Sequence, residues 1–238
     1  MTTDSPSYDL VISGGRVIDP ANGVDALLDV AVSDGRIAAV AGGIDTSNTT
    51  RVIDATGFTV TPGLIDLHTH VAAGIRKPAG EDLMVSPDVA GVIAGVTTVL
   101  DAGSTGALNI GGLVNAVAPQ AITRVLALIS VGSIGVTNIP EVRTAEDIDP
   151  AATVEAIQSS PDTIKGVKVR MVSPGITALG IGLPRAAKAI AREAGVPIMV
   201  HVGDIYGQDP AAAEITPELL TSVLTAGDIV THMLSGQV

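Results

Sequence analysis

The chain has 238 residues, of which 46% are hydrophobic, and a formal net charge of −12. That apolar share excludes global disorder, the acidity disfavours a phosphate backbone as partner, and the absence of Cys rules out disulfide frameworks and thiolate metal sites. Phe58, Tyr8 and Tyr206 are the whole aromatic set, so the core must be built from Val, Ile, Leu and Ala, and stacking platforms for single-stranded nucleic acid are missing.

The N-terminal Met1–Ser7 stretch is polar and lacks the basic-then-apolar order of a signal peptide. From there to residue 57 the pattern is β. Asp9–Ser13, Leu28–Val32, Arg36–Val40 and Arg51–Asp54 are short β-rich runs, broken by Gly14-Gly15, Asn22-Gly23 and Asp34-Gly35. Asp34-Gly35 has the composition of a two-residue hairpin turn. Gly14-Gly15 and Gly111-Gly112 lack the spacing of a dinucleotide or phosphate loop and read as turns.

From Phe58 the order becomes apolar strand, polar or Gly-rich loop, then helix. Strands are expected at Thr59–His68, Thr97–Leu100, Arg124–Ser130, Gly166–Arg170, Pro197–His201 and Asp228–His232. Helices are expected around Pro87–Ala94, Ile110–Ala118, Pro150–Ser159, Pro184–Glu193 and Pro217–Leu224, four of them with Pro near the first turn. Strand–helix alternation predicts a parallel sheet with helices outside. Six such repeats suggest an incomplete (β/α)₈ barrel of the TIM type, since closure needs eight units and typically ~250 residues. Two units are expected to be missing. The predicted organisation is the N-terminal part of a small β-sandwich domain over 1–57, then an incomplete barrel over 58–238. The apolar runs are too short to span a membrane. A cytoplasmic protein with a small-molecule partner, and no nucleic acid or membrane partner, is expected; a homo-oligomer is admissible.

All four histidines fall at or just past the C-terminal end of a predicted strand: His68 and His70, His201, and His232. Barrel enzymes place their sites on that face. The i, i+2 spacing within Leu64-Ile-Asp-Leu-His-Thr-His70 puts two imidazoles on one face of a strand. Two neutral imidazoles so placed suit a divalent metal of borderline softness. A lone histidine would more simply be a hydrogen-bonded core residue; four at one end of separate strands favour a site. Asp66 and Asp101 are candidates for a role in the pocket or behind its ligands, but ordinary strand-end hydrogen bonding suits each better. Ser104 and Ser133 have no triad context, and Glu81-Asp82 reads as a solvated loop pair. Arg170 shares strand parity with Lys168, so it could face a substrate carboxylate or form a salt bridge at the barrel rim.

Thr61-Pro-Gly-Leu-Ile-Asp-Leu-His-Thr-His70 resembles the first-strand signature of the amidohydrolase superfamily. Tyr8–Asp19 is similar to the opening of that family's small β domain. Gly95–Gly103, Gly166–Met171, Pro197–His201 and Asp228–His232 resemble later strands of its deacetylase-like, dihydroorotase-related branch. The resemblance implies two divalent metal ions, zinc above all, with His68 and His70 on one, His201 and His232 on the other, and a carboxylated Lys168 between them. It implies hydrolysis of an amide or acyl bond of a small molecule by a metal-bridging hydroxide. The proton-shuttling Asp of the last strand has no counterpart and is expected beyond the chain end. Dihydroorotases usually place an Arg two positions after the His-x-His pair; here Ala72 stands there, which favours a deacetylase-like activity. The alternatives are a non-catalytic binding protein of the same fold, or a fragment that is inactive or must associate with another piece.

Overall fold

Asp34 and Gly35 both have positive φ, 51° and 70°, the conformation a two-residue turn needs to join antiparallel strands. They join β2 (Val24–Ser33) to β3 (Arg36–Ala41), pairing Ser33 with Arg36. The computed structural model describes residues 7–75, 84–203 and 210–233. The chain divides into two units, residues 1–64 and 65–238.

The first unit is a mixed five-stranded sheet. β1 (Tyr8–Asp19) lies between β2, antiparallel, and β4 (Thr49–Asp54), parallel. Gly14-Gly15, expected as a turn, lies within β1, where the register slips between Ile12 and Gly15. Gly14 takes φ 73°, and a Cβ there would sit 2.9 Å from the Thr56 hydroxyl. The glycine pair is a β-bulge, which needs a residue without Cβ. The expected strand over Thr59–His68 also divides. Thr59–Val60 forms β5, paired with Arg16 and Val17 in this same sheet, and Ile65–Thr69 forms β6 in the next. Pro62, with no N–H to give a ladder, stands in the gap.

The second unit is a six-stranded parallel sheet, an incomplete TIM-type barrel. Its order follows the chain: β6, β7 (Thr98–Ala102), β8 (Arg124–Ser130), β9 (Ile164–Arg170), β10 (Ile198–His201) and β11 (Ile229–Thr231). Helices pack on one face. α1 (Pro87–Ala90) and α2 (Ile110–Gly112) are single turns extended by irregular helical turns, so Gly111-Gly112 is helical and not a turn. α3 (Pro150–Ser159) begins as expected, with Pro150 first and the Asp149 side chain accepting from Ala152 N at 3.0 Å. A short α4 (Gly175–Leu179) precedes α5 (Gly182–Ala194), which ends on Gly195 in the left-handed region. Pro217 does not open a helix. It sits inside α6 (Pro210–Glu218), and the turn after it widens to π geometry over Leu219–Val223.

Alternation along the strands creates two apolar layers. Val125, Ile129, Val167, Val169 and Val200 face the helices, where they meet Val154, Ile157, Leu183 and Ile190. Each such side chain contributes about 1.5–3 kcal/mol on burial. The concave face carries a smaller cluster of Leu100, Ala102, Leu128 and Met199. Lys168 shares that face, and it is a polar residue set among apolar ones. The edge strand β6 leaves Ile65 and Leu67 exposed. Among the described residues no helix is long and apolar enough to cross a membrane.

Candidate functional site

The carboxyl ends of the parallel strands bring the predicted residues together. Register pairs Lys168 with Met199 and Ser130, Arg170 with His201, and His201 with Thr231. Lys168 is almost fully buried, and its Nζ lies 3.2 Å from His68 Nε2 and 3.5 Å from Met199 Sδ. Lys165, on the opposite face of β9, donates instead to the Pro161 carbonyl at 2.8 Å. The imidazoles form a chain of edge contacts. Ring centroids are 5.7 Å apart for His68 and His70, 4.9 Å for His68 and His232, and 4.4 Å for His201 and His232. His232 lies in the left-handed region, φ 69°, as the chain turns out of β11.

Crowding of basic groups away from water sets the electrostatics. Burial, reinforced by the Lys168 charge, lowers His68 to about 4 and His70 to about 3. Burial and then Arg170 lower His201 to about 3 and Lys168 to about 7. His232 is lowered by the same causes, burial first. The four rings are therefore neutral at physiological pH, and Lys168 is poised between amine and ammonium.

The remaining partners are not visible in the sequence. Arg170 forms a two-bond ion pair with Glu141, at 3.1 and 3.3 Å, with both side chains largely buried. The salt bridge that the sequence admits for Arg170 is formed. Glu141 lies 29 residues earlier in the chain, and no spacing rule links the two. Asp66 caps its own strand, accepting from His68 N at 2.9 Å. Asp101 accepts from Val71 N and Ser104 N, each at 2.8 Å. Ser104 Oγ lies 2.9 Å from His70 Nδ1. Glu81-Asp82 lies outside the described residues.

Among the described residues, no group of three or more His, Cys, Asp or Glu side chains is arranged to hold a metal ion. The ring contacts explain why proximity is not enough. His201 Nε2 donates to the Gly203 carbonyl at 2.9 Å, so that nitrogen carries a proton and no free lone pair. His68 Nε2 faces the Lys168 nitrogen, a partner suited to an ammonium. The nearby carboxylates of Asp101 and Glu141 are committed to backbone amides and to Arg170. The residues present do not fit the two-metal centre that the resemblance implies. The expectation that this chain hydrolyses an amide or acyl bond through a metal-bridging hydroxide is corrected accordingly. Four histidines converge, but their nitrogens are not presented as a ligand set.

A parallel βα sheet with its polar residues gathered at the carboxyl ends of the strands defines a barrel of the type that binds ligands on that face. Comparison with known proteins narrows the class. The description "Amidohydrolase family" matches residues 59–221. A deacetylase of Agrobacterium fabrum is 35% identical over 191 residues, covering 79% of this chain and 44% of that protein. A deacetylase of Enterococcus faecalis is 33% identical over 231 residues, covering 97% and 58%. The crystal structure of a dihydroorotase superposes with a TM-score of 0.80 at 31% identity, over 93% of this chain and 56% of that one. The chain belongs to the amidohydrolase family, with a deacetylase- and dihydroorotase-like fold, and so falls within a hydrolase superfamily. It spans about half the length of these relatives.

Proposed function

We propose that the 238-residue chain by itself is a non-catalytic amidohydrolase-fold protein that binds a small acyl compound at the His68–His70–Lys168–His201–His232 cluster without hydrolysing it. The observation behind this reading is that no metal-holding group is formed among the described residues, although the cluster is assembled. Relatives described as deacetylases suggest the ligand class, an N-acyl or O-acyl acid. Family likeness associates the fold with a metal cofactor in general. Two zinc ions bridged by a carboxylated Lys168 would require His68 and His201 to give up their present partners. The cytoplasm is the proposed location, and the acidic surface argues for a small molecule over nucleic acid.

The test is to dialyse the purified chain against zinc, remove the excess and measure metal and turnover. Metal well below one equivalent per chain is expected, with no hydrolysis of N-acetyl amino acids above the blank. Saturable shifts of the histidine ring resonances are expected when the same compounds are added. Stoichiometric zinc that falls in His201→Ala, together with turnover, would overturn the proposal. An absence of any ring shift would remove the binding half of it.

A further inference from the structure

Arginine grips a carboxylate firmly with two parallel N–H bonds, as from Nε and Nη2, one to each oxygen. Arg16 holds Asp25 in that way, with Nε at 2.7 Å and Nη2 at 2.8 Å. Arg143 does the same to Asp147, at 3.3 and 3.1 Å. Arg170 differs. Both of its bonds to Glu141 leave from Nη1, at 3.3 and 3.1 Å. Among the described residues its Nε and Nη2 have no acceptor, and neither is a buried atom without a partner. The parallel edge of this guanidinium is therefore unused by the protein and reaches solvent, on a side chain 14% exposed.

Position decides what that edge can meet. Lys168 and Arg170 stand two residues apart on β9 and so share its concave face. Arg170 is also the register neighbour of His201 on β10. Burial first, and the Arg170 charge with it, lowers His70, Lys168, His201 and His232, so that charge acts across the cluster. Glu141, itself buried, holds Nη1 and fixes the guanidinium before any ligand arrives. A group so preset loses little rotamer freedom on binding.

We propose that the Nε–Nη2 edge of Arg170 is the carboxylate-binding element of the cluster. The salt bridge and the ligand contact are compatible, because they use different nitrogens. The inference rests on the reading that the cluster binds an acyl compound, and it narrows that reading. The free carboxylate of the acid is the recognised group, so a neutral amide carrying the same acyl group is discriminated against.

The test titrates N-acetylglycine and N-acetylglycinamide, which differ in the carboxylate alone, into the full chain by calorimetry. Hydrogen bonds to a charged group set the expected gap, and the acid should bind roughly tenfold to a hundredfold tighter. In a ¹H–¹⁵N spectrum the Arg170 Nε–H signal should move with the acid and stay with the amide. Arg170→Lys assigns that signal by its loss. The same variant keeps a cation for Glu141 but removes the parallel N–H pair, and should lose most of the preference for the acid. Equal binding of the two compounds by the parent overturns this inference, whether or not the variant folds, and leaves the acyl-binding reading standing. Selective binding of the acid with an unmoved Arg170 signal also overturns it, since the carboxylate then sits elsewhere. Binding of neither compound overturns both.

Discussion

Gly103 follows β7 directly and takes φ 83°, and a Cβ built on it would lie 2.7 Å from both Cβ and Cγ of Lys168. Gly95 takes the same φ of 83°, and a Cβ at that position would meet nothing within 4 Å. The two glycines thus separate backbone strain from packing. An L-residue in the left-handed region costs roughly 1–2 kcal/mol, and Gly95→Ala should lose about that much. Gly103→Ala should lose the same strain plus about 1–3 kcal/mol for overpacking against a side chain that has nowhere to move. Lys168 is 2% exposed, so its stem cannot swing into solvent. The assay is urea unfolding followed by far-UV circular dichroism, because the chain has no Trp to report by fluorescence. The difference between the two variants, about 1–3 kcal/mol, is the packing contribution alone. Equal losses would refute the placement of Lys168 over Gly103, and with it the registers of β9 against β8 and of β8 against β7.

Burial raises the Asp228 carboxyl, but the Ile198 amide, the Lys188 ammonium and the Thr225 amide together hold it below its ordinary 3.8. A carboxyl lowered in the folded state contributes stability that is present above the unfolded value and lost as pH falls through the folded one. Acid unfolding of Asp228→Asn should therefore show a smaller loss than the parent as pH falls below about 4. Lys188→Met leaves Asp228 buried without its cation and should cost about 3–5 kcal/mol at pH 7 by urea unfolding. Lys168 is the opposite case. Its value is lowered to about 7 by burial first and Arg170 second, so the unfolded chain binds more protons between about pH 7 and 10.5, and stability rises with pH there. Lys168→Met should be the more stable protein near pH 6, by on the order of a few kcal/mol, with the gap closing toward pH 10; a gap independent of pH would show that Lys168 is not desolvated.

The sheet is legible in the sequence because its signals are local. Val167 and Val169 alternate with Lys168 and Arg170, and a period of two assigns each pair to a face without knowledge of the neighbours. The same logic puts the four histidines at strand ends, and the structure gathers them there. The pattern misleads where one residue type serves two backbone states. Gly14-Gly15 satisfies a turn and a bulge equally, and only the pairing with β2 decides between them. Pro217 suits a helix start, yet the helix begins at Pro210 and Pro217 lies inside it.

What the sequence could not carry is the direction of an imidazole nitrogen. Strand parity delivers a ring to a face; the partner of each nitrogen is fixed by atoms from elsewhere in the chain. For His68 that atom is on Lys168, 100 residues away, and for His70 it is on Ser104, 34 residues away. For His201 it is the carbonyl of Gly203, close in sequence but set by a glycine at φ 86°. A motif fixes which side chains meet, whereas a ligand set also requires that their lone pairs point inward together. The first condition is met here and the second is not among the described residues. Family membership and metal-centred chemistry therefore rest on different observations in this chain. The fold depends on apolar alternation that tolerates many hydrogen-bond patterns, while a metal site depends on a few nitrogens, each of which a single carbonyl or ammonium can claim.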